Sequence, residues 1–137
     1  MTAGSGPYVV SASGVAISNS EVALVTAQNM SWQETLGILL SGDVYVTGSA
    51  TGSITFRFRQ GVGTGGANVG PAGGFVMTGI AAASTAAWSM ELADTSAFAQ
   101  AALALSGAYT LTALGSVSSV GTATYAALGV ETIATIQ

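Results

Sequence analysis

The sequence predicts an all-β protein that forms a single antiparallel jelly roll or β-sandwich of about eight strands. Short apolar segments rich in strand-forming residues recur about every ten to fifteen residues, and Gly, Ser, Asn and Asp separate them. Several segments alternate apolar and polar residues, which is the pattern of a strand with one buried face. The length of 137 residues suits one domain with a substantial core.

Eight segments fit this description. In chain order they cover residues 8–11, 21–27, 37–47, 53–60, 75–82, 87–92, 108–114 and 122–135. One short helix is expected between the sixth and seventh segments, with Asp94 or Ser96 as its N-cap and Gly107 as its stop. We expect residues 1–6 to be a flexible N-terminal segment and residues 7–137 to form the jelly-roll domain.

The third and fourth segments predict a β-hairpin. Val44 and Val46 alternate with Tyr45 and Thr47, and the sequence TGSATG then turns the chain. A second alternating segment follows directly, so the two strands are expected to pair with a well-specified register.

Both cations of the chain lie in the second of these strands, SITFRFRQG, at residues 53–61. Successive side chains of a strand point to opposite faces, so Phe56 and Phe58 are expected in the core and Arg57 and Arg59 outside it. Arginine is suited to a bidentate, partly buried ion pair. The candidate partners are Glu21, Asp43 and Glu91 on neighbouring strands, or an acid of another chain.

Charged residues are unusually scarce. Two arginines and six carboxylates make up 6% of the sequence, whereas about 25% is usual for a soluble domain. A surface with so few charges is weakly protected against association, and the cores of protein interfaces are poor in charge. We therefore expect a subunit of a permanent assembly; a monomer with a surface of Ser, Thr, Asn and Gly is the alternative.

The composition argues against several other partners. A net charge of −4 without any Lys disfavours binding to the phosphate backbone of nucleic acid. Residues 95–130 carry no charge, but strand-like alternation over residues 109–113 and the lack of flanking Lys or Arg disfavour a membrane span. The start MTAGSGPYVV lacks the features of a secretory signal, and the absence of Cys excludes disulfides.

We expect no enzymatic activity, no cofactor and no metal site. Without His, Cys or Lys, the chain lacks the usual activated nucleophiles and the phosphate-binding lysine. Glu91 and Asp94 are a close acidic pair, but their spacing at a strand end favours a turn over glycosidase carboxylates or a calcium site. Glycines at 61, 63 and 66 match a dinucleotide-binding pattern, yet the following ANVGPAGG does not sustain the helix required, so a flexible connection between strands is favoured.

Two segments combine tryptophan with methionine, QNMSWQ around Trp32 and AWSMEL around Trp88. These residue types are enriched at the centres of interfaces. Met30, Trp32 and Trp88 are therefore candidate interface residues, together with Arg57 and Arg59. Packing in the core explains the tryptophans and Met30 equally well.

The segments SGDVYVTGS, SITFRFRQG, GTGGANVG, AYTLTALG and ATYAALGVETI, spread over residues 36–135, together resemble the jelly-roll domains of tailed-bacteriophage virion proteins. These domains include capsid decoration (cement) proteins and the knobs of head or tail fibres. The absence of a collagen-like or coiled-coil shaft favours a compact decoration protein.

The resemblance implies a structural protein made in the host cytoplasm and bound to the major capsid protein on the outer surface of the virion. It also implies a homo-oligomer, with a trimer favoured and a dimer as the alternative, and no catalytic residues. Two rival hypotheses stay open: a fibre knob that binds a receptor or glycan, and a subunit that assembles into a shell by itself.

Overall fold

Two antiparallel β-sheets packed face to face form the structure, a computed structural model that describes residues 8–30, 35–101 and 107–133. The described elements are β1 (Tyr8–Ala12), β2 (Val15–Ile17), β3 (Val22–Met30), β4 (Gly37–Gly48), β5 (Gly52–Gln60), β6 (Asn68–Val69), β7 (Phe75–Ile80), β8 (Thr85–Asp94), α1 (Ala97–Ala101), β9 (Gly107–Gly115) and β10 (Gly121–Ile133). The predicted N-terminal segment 1–6 lies outside the described residues.

The order of the strands defines a jelly roll. Sheet A has the order β1-β10-β4-β8, with β2 also paired to β10, and sheet B has the order β3-β9-β5-β6, with β7 also paired to β5. β1 and β2 pair with successive stretches of β10, and β6 and β7 with successive stretches of β5. The strands therefore occupy about eight positions in two sheets, which confirms the predicted fold class.

The prediction that β4 and β5 form a hairpin is wrong. β4 pairs with β10 and β8 in sheet A, whereas β5 pairs with β9, β6 and β7 in sheet B. Residues 49–51 carry the chain from one sheet to the other. Each strand buries a row of apolar side chains, and placing the strands in opposite sheets packs the two rows against each other in one core.

The inward face of β5 is as predicted. Ile54, Phe56 and Phe58 are fully buried between the sheets. Phe56 stacks on Trp88 of β8 with ring centroids 4.4 Å apart, and Phe75 packs edge-on to Phe58 at 6.3 Å. The Phe56–Trp88 contact joins sheet B to sheet A, the Phe58–Phe75 contact joins two strands of sheet B, and together they hold β5 in the register that directs its arginines outward.

Helix α1 lies where the sequence predicts a helix, and Asp94 connects it to the core. The N–H of Ser96 donates to the Asp94 carboxylate at 3.0 Å, and the carbonyl oxygen of Ser96 accepts the N–H of Gln100. Asp94 also accepts hydrogen bonds from Tyr109 Oη at 2.7 Å and from Gln60 Nε2 at 3.0 Å. Burial alone would raise the pKa of Asp94, but the hydrogen bonds outweigh burial and hold this pKa below its usual value.

We expect Tyr109→Phe to lower the free energy of unfolding by about 1–3 kcal/mol, because it leaves the buried Asp94 carboxylate short of one donor. Urea denaturation at pH 7 measures the change. Tyr125→Phe, the same substitution at an exposed tyrosine, is the matched control. Equal effects of the two substitutions would contradict a structural role for the buried hydrogen bond.

Candidate functional site

The outer face of sheet B carries both arginines, as predicted. Arg59 donates through Nε and Nη2 to the two carboxylate oxygens of Glu21, the latter at 2.7 Å. Thr112 Oγ1 donates to the same carboxylate at 2.6 Å. The side chains of Arg59 and Glu21 are only 17% and 18% exposed, so water screens this pair weakly. Among the candidate acids, Glu21 is therefore the partner of Arg59.

The glycine-rich residues 61–67 form a loop on this outer face. Arg59 Nη1 donates to the carbonyl oxygen of Gly66 at 3.0 Å. Thr110 Oγ1 donates to the carbonyl oxygen of Gly61 at 2.8 Å and accepts the N–H of Gly63 at 3.1 Å. Strand β6 follows, where a dinucleotide site requires a helix, so the glycines belong to a connection between strands.

The ion pair perturbs the acid–base behaviour of both partners. The hydrogen bonds from Arg59 hold the pKa of Glu21 below its usual value, while partial burial acts in the opposite direction. The Thr112 hydroxyl and the charges of both arginines lower the pKa of Glu21 further, and Glu21 raises the pKa of Arg59. Both groups stay charged at neutral pH and tie β5, β9 and the residue before β3 together.

Arg57 lies on the same face, and no carboxylate among residues 8–30, 35–101 and 107–133 forms an ion pair with it. Its Nη2 reaches the carbonyl oxygen of Ala72 at 3.5 Å, which is long for a hydrogen bond. Val76, 57% exposed, lies on the neighbouring strand opposite Thr55. Among the described residues, the outer face of sheet B thus presents one positive charge without an ion-pair partner, beside exposed apolar surface.

The outer face of sheet A carries only negative charge. Asp43 of β4, Glu91 of β8 and Glu131 of β10 lie on the outward side of their strands and alternate with buried or half-buried residues. Asp43 accepts a hydrogen bond from Ser89 Oγ at 2.8 Å. The sequence contains two cationic side chains, and both lie on β5 in the other sheet. No lysine or arginine is therefore available to neutralise these acids within the chain.

Large apolar side chains are exposed on the same face of sheet A. Val9, Tyr45 and Tyr125 are 59%, 56% and 39% exposed, and the two tyrosine rings are 5.9 Å apart. Around them the strands carry small side chains such as Ala127 and Ala87. A face with apolar groups at its surface and few charges has the composition of an interface core.

Unlike the arginines, the candidate interface residues Met30 and Trp88 do not lie on an outer face. Met30 is fully buried within the chain, so core packing accounts for it and it offers no surface to a partner. Trp88 is partly exposed but points into the sandwich, where it contacts Phe56, Phe58 and Phe75. Trp32 lies outside the described residues. Of the candidate interface residues that the structure describes, only Arg57 and Arg59 lie on an outer face.

The close acidic pair does not form a site. Glu91 is exposed on the outer face of sheet A, whereas Asp94 is 4% exposed and points into the core. Their alternation along β8 separates the two carboxylates onto opposite faces. The described residues contain no cluster of three or more acids or other metal-binding side chains. They also contain no helix that is long and apolar enough to cross a membrane.

The sequence alone does not identify the outer face of sheet A as a candidate interface. The pattern TAAWSMELAD at 85–94 indicates its composition, since Thr85, Ala87, Ser89, Glu91 and Ala93 share one side of the strand. The sequence does not show that the outward rows of β4, β8 and β10 lie side by side. That adjacency comes from the jelly-roll pairing of strands distant in the chain.

Comparison with known proteins supports the fold. No protein-family model and no curated protein matches the chain. A chain in the structure of infectious bursal disease virus, Gx strain, is similar over 93% of this protein, with a TM-score of 0.51 and 12% sequence identity. The match spans 33% of the viral chain. At this identity the likeness shows a shared β-sandwich architecture of a kind that occurs in a virus.

A second solved structure is a protein of Bacillus endospore appendages, described as disulfide-linked pili. It is 20% identical over 96% of this protein and 95% of its own chain, with a TM-score of 0.34. The present chain contains no Cys and therefore forms no disulfide. Neither structure is a tailed-bacteriophage decoration protein, so that part of the resemblance stays a prediction.

We expect Arg59→Ala to lower the free energy of unfolding by about 1–2 kcal/mol, because it leaves Glu21 partly buried without its bidentate partner. Arg57→Ala, on the same strand and face, is the matched control and should cost less than about 0.5 kcal/mol. Urea denaturation of the three proteins at one concentration makes the comparison. Equal losses for the two arginines would show that the ion pair contributes nothing to stability.

The ion pair also predicts how stability depends on pH. Because folding lowers the pKa of Glu21, its contribution is fully present above the ordinary value of 4.5 and is lost as the pH falls through the folded-state pKa. Glu21→Gln should therefore be less stable than the wild type at pH 7, and the difference should shrink below pH 4.5. Unfolding free energies measured from pH 7 downwards test this. A difference that does not change with pH would contradict the assignment.

Proposed function

We propose that this chain is a structural protein of a virus particle that decorates the outside of a capsid and has no catalytic role. The jelly-roll architecture supports this proposal because capsid proteins use it often. The similarity to a chain in a virus structure is consistent with it. The inventory of side chains also favours a structural role, since the sequence lacks His, Cys and Lys.

The observation that carries the proposal is the outer face of sheet A. Val9, Tyr45 and Tyr125 expose apolar surface there, and both cationic side chains of the protein lie on the other sheet, away from the three acids. A monomer in free solution gains nothing from exposing these groups, whereas a partner that covers them removes apolar surface from water. A partner that covers this face must supply cationic or hydrogen-bonding groups for the three carboxylates, because unpaired carboxylates removed from water are strongly unfavourable.

Decoration of a capsid requires many contacts of modest strength. When one subunit of an oligomer has bound to the lattice, the next contact becomes effectively intramolecular. Small interfaces then add up to long-lived attachment without a deep pocket or a specific ligand. The major capsid protein is the proposed partner, and the proposed complex contains several copies of this chain.

A second candidate function is a subunit that assembles with its own copies into a shell or filament. The specific observation in its favour is the separation of charge, because the uncompensated arginine and the three acids lie on opposite faces. Such a separation allows copies to contact one another repeatedly. Binding to particles of another protein distinguishes decoration from self-assembly.

The test uses the virus that encodes the chain. Particles are purified, stripped of this protein under mild conditions and then mixed with the recombinant chain. We expect the chain to sediment with the particles at saturating stoichiometry and to restore their resistance to heat. An unrelated β-sandwich of similar size should stay in the supernatant.

Absence of the protein from purified particles, together with failure to sediment with them, would contradict decoration. Formation of large homopolymers in the absence of particles would favour the second candidate. Sedimentation velocity of the recombinant chain alone provides that measurement.

A further inference from the structure

The two outer faces of the sandwich carry opposite charge. On sheet B the Arg59–Glu21 pair is internally neutral, so among the described residues Arg57 leaves one net positive charge. On sheet A the acids are Asp43, Glu91 and Glu131, and the chain has no cationic side chain left to balance them. The charges that lack partners within the described chain are therefore sorted by face.

The exposed apolar side chains follow the same division. Among the described residues, seven large apolar side chains are exposed, and five of them belong to these two faces. On sheet A they are Val9, Tyr45 and Tyr125, and on sheet B they are Val76 and, in the loop covering the face, Val62. Each face thus combines apolar surface with charge of one sign.

These charges disfavour contacts between like faces. Two copies that met through sheet A would bring six carboxylates together with no cation between them. Two copies that met through sheet B would place one Arg57 against the other. Like charges at a dry interface are strongly unfavourable, so self-complementary contacts of either kind are penalised.

We infer that copies of this chain bind one another head to tail, with the outer face of sheet A of one copy covering the outer face of sheet B of the next. The contact places Arg57 of one copy against Asp43 or Glu91 of its neighbour, and it buries the exposed apolar groups of both faces. This inference rests on the proposed function, in which the chain acts as a homo-oligomer, and it names the surfaces that meet.

A contact between two different faces leaves one free face of each kind at the ends of a complex. Repetition of the contact therefore closes a ring if the rotation between copies allows it and otherwise extends as an open row. Because the two faces lie on opposite sides of the sandwich, the contact favours a row or a large ring over the trimer that the resemblance to virion proteins implies. In either case each copy contributes both faces, and this property can be tested by mixing variants.

Two variants each reverse the charge of one face. Arg57→Glu makes the outer face of sheet B negative, and Asp43→Arg combined with Glu91→Arg makes the outer face of sheet A positive. Each variant alone then opposes like charges at every contact. Sedimentation velocity over a range of concentrations should show the apparent dissociation constant rising at least about tenfold for each variant relative to the wild type.

Mixing the two variants in equal amounts should restore association. The Arg57→Glu chain keeps a native sheet A, the other chain keeps a native sheet B, and these two faces match. If the native contact joined two copies of the same face, one of the two variants would associate like the wild type. That result, or a mixture that associates no better than its components, would overturn the inference.

Matched controls separate the contact from general effects of charge and folding. Ser118→Glu with Ser119→Glu, in the exposed turn between β9 and β10, changes the net charge by the same amount as Arg57→Glu and should leave association unchanged. Arg57→Lys keeps the positive charge and should retain association. Circular dichroism and urea midpoints check that each variant is folded.

The outcome of these association measurements is independent of the test for capsid decoration. A wild-type chain that stays monomeric at every concentration would overturn the head-to-tail contact. Its sedimentation with stripped particles would still be measured separately, so the failure of one proposal is distinguishable from the failure of the other.

Discussion

The fold depends on the burial of one row of aromatic side chains on β5. Phe56 and Phe58 fill the space between the sheets, and Phe56 stacks on Trp88 of the opposite sheet at 4.4 Å. Burial of such rings is among the largest favourable contributions that single residues make to folding. Because side chains alternate along a strand, the register that buries the phenylalanines also directs both arginines outward.

The two arginines, though two residues apart, have different roles. Arg59 is held by Glu21 and Gly66, so its charge is used within the chain to fix the glycine-rich loop and the edge of sheet B. Arg57 has only a long contact with a carbonyl oxygen and keeps its charge available at the surface. Because the chain has so few charged side chains, the unpaired charge of Arg57 makes the described outer face of sheet B net positive. The other outward acids that the structure describes, Asp43, Glu91 and Glu131, lie on the opposite sheet, so the two faces carry opposite charge.

Much of the fold follows from local patterns in the sequence. Alternation locates the main strands and the faces of β5, and the Ala-rich stretch after Asp94 contains the expected helix. The short strands β2 and β6 were not predicted, because two or three residues carry no periodicity. The hairpin prediction was wrong because a Gly-rich turn between two alternating strands is equally compatible with a crossing between sheets. The sequence narrowed the partner of Arg59 to a few acids, and the pairing of β3 with β9 and of β9 with β5 selected Glu21.

In the proposed assembly, opposite faces of this sandwich meet. The absence of Cys allows a direct measurement, since one thiol can be introduced on each face without a competing reaction. Chains carrying Ser89→Cys on sheet A are mixed with chains carrying Thr55→Cys on sheet B and treated with a short thiol-specific cross-linker. If opposite faces meet, mixed dimers should form faster than dimers of either variant with itself. Preferential cross-linking of either variant to itself, or no cross-linking above that of dilute monomers, would contradict a contact between opposite faces.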